Sequence, residues 1–474
     1  MAIGLIAAGC VQDHSLGAWM PEGDGVDTGT DSQNSTPAET RSRCWTKTQG
    51  ASNEAELHTA AVATYRDGSI VWAMVEAESA MMLHWYDADG ESSEYLEFGG
   101  VVEELHPTSD GGLVVGVRDG DAFRIDRMDR RGNIAWTLSL PSLVSHPGAS
   151  FNGITDAEYP MDINVEDDTI IAGIFSDNIT LASERFEKTL TVDDTDDLGV
   201  FVAGIGHNGE LMFAERIDAM IIPSAVALAD DGRFYIVGHQ AVEPRIGCYV
   251  AAFESSGVLS WQTDVYQSTD TYTFSTSYHR SAHAFVDDEG GVMIGGEFFT
   301  NLVFTDMLGQ EKSLFAPVIQ NPAGSFDLPG TYYAARYTKE GILSFAASGF
   351  TGDTENFLGT WQAPAVIRPS GELGIVFRVS GKVTVNVDGT PTTLSEDERP
   401  MGLIVYTHDG TVSSATYLDT PEWSETKTLI AENDGTLVVG ADYDLTEQAL
   451  AHDALGARFR TGSDWLMSVQ AFCP

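Results

Sequence analysis

Two short patterns of polar and hydrophobic residues alternate along the chain from about residue 55 onward. The first is a polar turn that contains glycine or aspartate, followed by a run of Val, Ile and aromatic residues. Its copies are RDGSIVWAMV at 66–75, SDGGLVVGVR at 109–118, EDDTIIAGIF at 166–175, DDGRFYIVGH at 230–239, DEGGVMIGGE at 288–297, PSGELGIVFR at 369–378 and NDGTLVVGAD at 433–442. Glycine supplies the positive φ of a tight turn, so this pattern predicts a turn that leads into a buried strand.

The second pattern is a strand, a polar turn with glycine, and another strand. An aromatic residue often stands four positions after the glycine. The copies are HWYDADGESSEY from residue 84, RIDRMDRRGNIAW from 124, VAGIGHNGELMF from 202, VAAFESSGVLSW from 250, AARYTKEGILSF from 334, LIVYTHDGTVSS from 403 and GARFRTGSDWLM from 456. This pattern predicts a β-hairpin.

The alternation gives seven pairs of patterns, each about forty to eighty residues long, while helical periodicity is scarce. Regular repeats of this size with four strands each are typical of a β-propeller. We therefore predict an all-β fold, a seven-bladed β-propeller with four-stranded antiparallel blades. The first pattern would form the first hairpin of each blade and the second pattern the outer one. Aromatic residues would pack between neighbouring blades; the candidates are Trp136, Phe213, Trp261 and Phe345.

One stretch carries a resemblance to a known family. The segments GIFSDNITL at 173–181 and LTVDDTDDLGVFVAGIGHNGELMFAERI at 190–217 resemble the tandem β-propeller repeats of bacterial secreted and surface proteins. The lysine common in that repeat is replaced here by Gly204 or Arg336. The resemblance spans residues 61–470 and implies a fold, but no catalytic residue.

The first ten residues are small and apolar and end in Ala-Ala-Gly-Cys. They resemble the lipobox of bacterial lipoproteins, in which the cysteine, here Cys10, is lipidated. Two features differ from the usual lipobox signal: Ala7 stands in place of leucine, and no basic segment precedes the apolar one. A start site assigned too late, within the signal, would explain both. The alternative is an accidental cysteine behind a short apolar terminus.

The resemblance to a lipobox predicts where the protein works. Residues 11–43 are rich in Gly, Ser, Thr, Asp and Pro and are predicted to form a disordered linker. The expected organisation is a truncated signal at 1–10, this linker, and the propeller at 44–474. Val11, rather than aspartate, follows the cysteine, which favours the outer membrane or cell surface as the location. Contact with the membrane is expected only through the lipid.

The cysteines suggest an oxidising compartment. Cys44 stands where the repeats begin, and Cys473 is the next-to-last residue. Because propellers commonly close by pairing strands from the two ends, a disulfide between these cysteines would lock the ring. Two unrelated cysteines are the alternative. Cys248 is predicted to be a buried strand residue.

The charge of the chain restricts its partners. With 25 Lys and Arg against 71 Asp and Glu, the formal net charge is −46, which makes nucleic-acid binding improbable. The acidic turn TVDDTDDLG carries four clustered aspartates: Asp193, Asp194, Asp196 and Asp197. Clustered carboxylates suit Ca²⁺, although the turn lacks the remainder of a calcium loop, so a solvated acidic turn is the alternative. No other cofactor is expected.

No catalytic motif is present in the sequence. There is no G-x-S-x-G, H-E-x-x-H or P-loop, and no G-x-G-x-x-G in a βαβ context. The sequence therefore predicts a monomeric, non-catalytic scaffold that binds a protein or a glycan. The alternative is a propeller-fold glycoside hydrolase or polysaccharide lyase that uses acidic residues at the central channel.

Overall fold

The chain was analysed as a computed structural model. The structure describes residues 36–37, 39–41, 43–50, 59–77, 80–119, 122–140, 159–175, 178–182, 187–192, 199–217, 221–240, 247–267, 283–298, 301–315, 319–320, 326–327, 331–348, 365–367, 371–378, 382–395, 401–418, 428–433, 436–444 and 465–472.

All regular secondary structure in the described residues is β-strand. The first half of the chain contains β1 (Thr36–Pro37), β2 (Glu39–Arg41), β3 (Arg43–Gly50), β4 (Thr59–Thr64), β5 (Ile70–Ala77), β6 (Ala80–Tyr86), β7 (Ser92–Gly99), β8 (Val101–Pro107), β9 (Leu113–Asp119), β10 (Ala122–Met128), β11 (Ile134–Leu140), β12 (Met161–Ile163), β13 (Thr169–Phe175), β14 (Ile179–Ala182), β15 (Glu187–Leu190), β16 (Gly199–Ile205), β17 (Leu211–Ile217), β18 (Ile221–Leu228) and β19 (Phe234–Gln240).

The second half continues in the same way. It contains β20 (Gly247–Phe253), β21 (Leu259–Gln267), β22 (His283–Val286), β23 (Val292–Phe298), β24 (Leu302–Thr305), β25 (Glu311–Leu314), β26 (Ile319–Gln320), β27 (Phe326–Asp327), β28 (Thr331–Tyr337), β29 (Leu343–Ser348), β30 (Ala365–Ile367), β31 (Leu373–Arg378), β32 (Lys382–Val387), β33 (Thr390–Ser395), β34 (Met401–Tyr406), β35 (Val412–Leu418), β36 (Thr428–Asn433), β37 (Thr436–Asp444) and β38 (Trp465–Phe472).

The strands form seven units of four antiparallel strands, called blades 1 to 7 below. In order they are β4–β7, β8–β11, β12-β13-β16-β17, β18–β21, β22-β23-β28-β29, β30-β31-β34-β35 and β36-β37-β38-β3. The first strand of each blade contacts the first strand of the next, and β36 of blade 7 contacts β4 of blade 1. This confirms the predicted all-β propeller, and the closed cycle of first strands is consistent with seven blades.

Strands from the two ends of the repeat region meet in blade 7. β3 pairs antiparallel with β38, with Arg43 opposite Phe472 and Gly50 opposite Leu466. The ring is therefore closed by backbone hydrogen bonds between segments about 420 residues apart in sequence.

Extra strands extend or flank some blades. The hairpin β24–β25 adds to the outer strand of blade 4, and the hairpin β32–β33 lies beside blade 6. β1 and β2 pair in parallel with β33 and β35, so the chain reaches the ring along the outer side of blade 6.

In blades 1 to 6 the two sequence patterns occupy the two hairpins of a blade, whereas in blade 7 the outer pair is β38 with β3. In blade 1 the turn at 65–69 joins the first and second strands, and the turn at 87–91 joins the third and fourth. In the described copies a glycine stands in the left-handed region, except in blade 3, where Asp167 has φ 64°. Because the first strands all run in one direction, the first-hairpin turns gather at one end of the ring.

Candidate functional site

A polar cleft of about 370 Å³ opens where the first-hairpin turns of blades 1, 2 and 3 meet. Arg130 and Asp230 also line it, and the turns contribute residues 64–67, 107–109, 111, 163–165 and 167. Its volume lies within the range of small-molecule sites, roughly 300–1,000 Å³. These turns end the innermost strands, so the cleft lies at one mouth of the ring.

Arg130 forms the wall between blades 1 and 2. Its guanidinium carbon lies 4.3 Å from the ring centroid of Tyr65, its Nε donates to the Gly111 carbonyl at 3.1 Å, and its Nη2 donates to Ser69 Oγ at 3.0 Å. Asp67 Oδ2 lies 3.7 Å from the same Nη2. The guanidinium is therefore held in one plane at the wall of the cleft.

Tyr65 lies beneath Arg130 and stays protonated near neutral pH. Burial raises the pKa of Tyr65 to about 12, and its hydroxyl accepts a hydrogen bond of 3.1 Å from Trp85 Nε1. Hydrogen bonds from the Ser69 hydroxyl and N–H lower the pKa of Asp67, so this carboxylate stays ionised and accepts hydrogen bonds only.

Asp167 connects blades 2 and 3 at the cleft. Its Oδ1 accepts the Ser109 N–H at 2.7 Å, and its Oδ2 accepts the Ser109 hydroxyl at 3.0 Å and Arg127 Nη2 at 2.9 Å. Arg127 also donates to the His207 carbonyl at 2.9 Å and to Asp110 at 3.1 Å. Asp167 is only 4% exposed. The residue with the left-handed backbone conformation thus also forms a largely buried ion pair with Arg127.

A second cluster lies on the innermost strands just before these turns. His106 of β8 stands between two carboxylates, with Nε2 3.4 Å from Glu104 and Nδ1 3.7 Å from Asp162 of β12. Asp162 Oδ2 accepts the N–H of Leu228 of β18 at 2.8 Å. The cluster therefore links the first strands of blades 2, 3 and 4.

Protonation is favoured at both titratable members of this cross-blade pair. Burial alone would lower the pKa of His106, but the contact with Glu104 and the charges of Glu104 and Asp162 raise it above its ordinary value. Burial raises the pKa of Asp162, against the opposing effects of His106 and the backbone N–H groups. Both ring nitrogens of His106 face carboxylates, and Nε2 is shielded from solvent.

Four predicted packing residues lie at blade junctions. A Cβ atom built on Gly209 of blade 3 would lie 2.6 Å from the Trp136 ring of blade 2, and Trp136 Nε1 donates to the His207 carbonyl at 2.9 Å. The same relationship of ring to turn glycine recurs from blade to blade, with the pairs Phe213 and Gly257, Trp261 and Gly341, and Phe345 and Gly410. In blade 1 Leu96 occupies this place, against Gly132.

The other predicted sites fall mostly on residues that the structure does not describe. Cys10, Cys473 and the four acidic-turn aspartates, Asp193, Asp194, Asp196 and Asp197, lie outside the described residues. The backbone of Cys44 lies in β3, beside the strand that ends one residue before Cys473. Cys248 is a buried free thiol.

Neither a metal site nor a spanning helix is found in the described part of the chain. No group of three or more His, Cys, Asp or Glu residues there is arranged to hold a metal ion. Within the same ranges, no helix is long and apolar enough to cross a membrane.

Sequence reasoning missed the residues of the cleft and of the His106 cluster. One signal was available: the third copy of the first pattern, EDDTIIAGIF, has no glycine in its turn, and Asp167 takes the left-handed conformation there. A second signal was the concentration of five of the 25 basic residues between 118 and 131 in a strongly acidic chain. No pattern pointed to His106, because its partner Asp162 is distant in sequence.

The comparisons with known proteins find chains of similar structure but no relative by sequence. No protein family model matches the chain, and no curated protein matches its sequence. A catalytically inactive virginiamycin B lyase from Staphylococcus aureus, with quinupristin, is 9% identical with a TM-score of 0.41, covering 90% of this chain and 99% of that one.

Two further solved structures are similar at the same level. A polysaccharide lyase is 10% identical with a TM-score of 0.43, covering 89% of this chain and 91% of that one. A quinonprotein alcohol dehydrogenase-like protein from Bacteroides thetaiotaomicron is 12% identical with a TM-score of 0.36, covering 78% and 67%. The sheets and closing contacts of this chain itself therefore show the propeller fold.

Proposed function

We propose that the protein is a non-catalytic binding scaffold of the bacterial cell envelope, with the turn cleft as its recognition site. The observation that carries this proposal is that the charged side chains around the cleft are paired with one another. Arg127 is paired with Asp167 and Asp110, while Arg130 is fixed on Tyr65 and beside Asp67. Because these side chains already hold one another in place, little side-chain entropy is lost when a ligand binds to them.

The same groups are poorly arranged for proton transfer to a ligand. Asp67 stays ionised and Tyr65 stays protonated near neutral pH. A glycosidase requires a carboxylic acid with a raised pKa and a second carboxylate at a fixed separation across the scissile bond. In the cleft, the carboxylates of Asp67 and Asp167 instead accept hydrogen bonds from Ser69 and Ser109.

Attachment to the envelope is part of the proposal. Lipidation at Cys10 and a linker between that residue and β1 would carry the propeller outside the cytoplasm. β1 and β2 run along the outer side of blade 6, which would fix the point at which a tether joins the ring. The Cys44–Cys473 disulfide would belong to the same oxidising location.

A second candidate function is carbohydrate cleavage in the central channel. Asp162 favours it, because burial raises the pKa of this carboxyl beside His106 on the innermost strands. Against it, both nitrogens of His106 already face carboxylates, and Asp162 accepts two backbone N–H groups, from Leu228 and Ile163.

The binding proposal is tested by filling the cleft. Val165 lines it and is 44% exposed, so Val165→Trp adds bulk without disturbing the core. Val258→Trp, at a 62% exposed position in an outer turn of blade 4, is the matched control. We expect Val165→Trp alone to abolish binding of envelope glycans or proteins to the full-length protein in calorimetry. Equal binding by both variants would contradict the proposal, as would wild-type release of new reducing or unsaturated sugar ends.

Anchoring is tested separately by fractionation and intact-mass analysis of the native host protein. We expect the wild type in the membrane fraction with a lipid mass on Cys10, and Cys10→Ala in the soluble exported fraction. Wild-type protein with an unmodified Cys10 still attached to residues 1–9 would contradict this part of the proposal.

A further inference from the structure

Resting on the proposed binding function, we propose that the cleft binds an uncharged, polyhydroxylated ligand, a segment of a neutral polysaccharide. The proposal selects one of the two ligand classes that the sequence left open. It follows from the charge balance of the cleft, the hydrogen-bonding groups that its walls leave available, and the absence of an apolar anchor among its described lining residues.

The charges around the cleft nearly cancel. Arg66 and Arg130 line it together with Asp67, Asp167 and Asp230. The charge of Asp167 is balanced by Arg127, which lies behind the lining. Apart from Asp167, the lining therefore presents two arginines and two aspartates, whose formal charges cancel.

The charge of the whole chain points away from anionic ligands. A formal net charge of −46 repels polyanions such as uronate-rich or sulfated glycans during approach. The lining carries no excess of negative charge that would select a cationic ligand, because Arg66 and Arg130 balance Asp67 and Asp230. An uncharged ligand suits a lining in which the charges are balanced.

The walls offer fixed donors and acceptors at a spacing suited to hydroxyl groups. Among the described residues, Asn164 Nδ2 makes no hydrogen bond, while Asn164 Oδ1 holds the turn by accepting the N–H groups of Glu166 and Asp168. Arg130 presents its guanidinium at the wall of the cleft. Asp67 Oδ2 lies 3.7 Å from Arg130 Nη2 and remains available as an acceptor. Planar amide, guanidinium and carboxylate groups can each bond neighbouring hydroxyls in a fixed geometry.

The described lining of the cleft offers no exposed aromatic side chain. Hot spots of protein interfaces are enriched in Trp, Tyr and Arg, and here Arg130 is held against Tyr65. Of the large hydrophobic residues exposed in the described structure, Val165 is the one that lines the cleft, and Tyr65 is only 4% exposed beneath Arg130. A small apolar surface beside polar groups fits the C–H face of a sugar ring rather than an aromatic anchor.

The test compares a neutral ligand with its acidic counterpart. The full-length protein would be titrated calorimetrically with galacto-oligosaccharides, gluco-oligosaccharides, manno-oligosaccharides and oligogalacturonate, at low and high salt. We expect binding of at least one neutral series with a Kd that does not change with salt, and weaker or no binding of oligogalacturonate. A neutral ligand has no charge to be screened, whereas the affinity of an anionic one would depend on ionic strength.

Arg130→Lys separates hydrogen bonding from charge. The substitution keeps the positive charge but removes the planar donor pair, so we expect affinity for the neutral oligosaccharide to fall about tenfold. Arg131→Lys, in the same turn but outside the cleft lining, is the matched control and should change affinity less than twofold. Thr64→Val, which removes a lining hydroxyl at nearly constant shape, gives a second variant that does not depend on the contacts of Arg130.

Three results would overturn the inference. Oligogalacturonate bound as tightly as the neutral series would refute the neutral class. Neutral binding that neither Arg130→Lys nor Thr64→Val weakens would remove the ligand from this cleft. Binding of a protein, but no oligosaccharide, in a manner that Val165→Trp abolishes would refute the glycan while leaving the scaffold proposal in place.

Discussion

His106 and Asp162 join the innermost strands of two neighbouring blades, with Nδ1 of the imidazole 3.7 Å from Oδ1 of the carboxylate. Their side chains are 18% and 32% exposed, and Asp162 extends the link to blade 4 through the Leu228 N–H. A proton on this pair thus affects the contact among three blades next to the cleft.

The stability of the ring should decrease as pH rises above neutrality. The folded-state pKa of His106 is raised, so its contribution is fully present below the unfolded pKa, about 6.5, and is lost as pH rises through the folded pKa. The pKa of Asp162 is also raised, and this acts in the same direction at lower pH. Glu104, on the same strand as His106, is the other carboxylate that faces the pair.

We expect His106→Gln to flatten the pH dependence of the urea midpoint between pH 6 and 9. The adjoining described segments of β4, β13 and β18 contribute no titratable side chain. His207→Gln, in an exposed outer turn, is the control and should leave the wild-type slope unchanged. Identical slopes for the wild type and His106→Gln would show that the pair does not couple protons to folding.

Asp167→Gly should destabilise the protein even though it relieves a left-handed backbone. Glycine regains about 1 kcal/mol at φ 64°, but the Ser109 and Arg127 hydrogen bonds are lost and Arg127 keeps only Asp110 as its carboxylate partner. Because breaking a mostly buried pair costs more than the backbone gains, we expect a net loss of about 2 kcal/mol in unfolding free energy.

Asp388→Gly provides the matched comparison for that measurement. Asp388 has φ 48° in the exposed turn between β32 and β33, and the structure gives its side chain no hydrogen bond among the described residues. The same substitution should therefore be neutral or stabilising there. A stabilising Asp167→Gly would mean that the cross-blade hydrogen bonds contribute less than the backbone strain.

Gly209→Ala should cost more than Gly290→Ala. Both glycines have positive φ, 81° and 78°, so the backbone penalty of about 1–2 kcal/mol is shared. At Gly209 the new Cβ would also meet Trp136 at 2.6 Å, whereas at Gly290 nothing lies within 4 Å. We expect an additional loss of about 1–3 kcal/mol for Gly209→Ala by chemical denaturation. Equal losses would show that Trp136 moves aside without cost.

The Cys44–Cys473 disulfide remains a prediction that peptide mapping can test. The pairing of β3 with β38 brings the backbone of Cys44 beside the strand that precedes Cys473. We expect a Cys44–Cys473 peptide under non-reducing conditions and a loss of about 2–5 kcal/mol for Cys44→Ser. Cys248→Ser under the same conditions would leave the cross-linked peptide in place. Free thiols at both terminal positions would refute the disulfide.

The repeating unit of the fold could be predicted from the sequence because its causes are local. A turn glycine and the hydrophobic run after it are consecutive residues, so the alternating patterns predict the two hairpins of blades 1 to 6. The Trp136 and Gly209 contact shows where this reasoning stops. Both residues were visible, but the identity of the turn against which the ring packs depends on the order of blades around the axis.

The sequence by itself determined the strands, the turns and the strongly acidic character of this protein. Only the tertiary structure decided which polar groups meet. Ser109 and Asp167 are 58 residues apart, and His106 approaches an aspartate on the next blade. Such pairs form because ring closure aligns the first strands of successive blades, and no local periodicity encodes the partner across a blade junction. The cleft, the cross-blade ion pairs and the proposed ligand class therefore depend on the assembled ring.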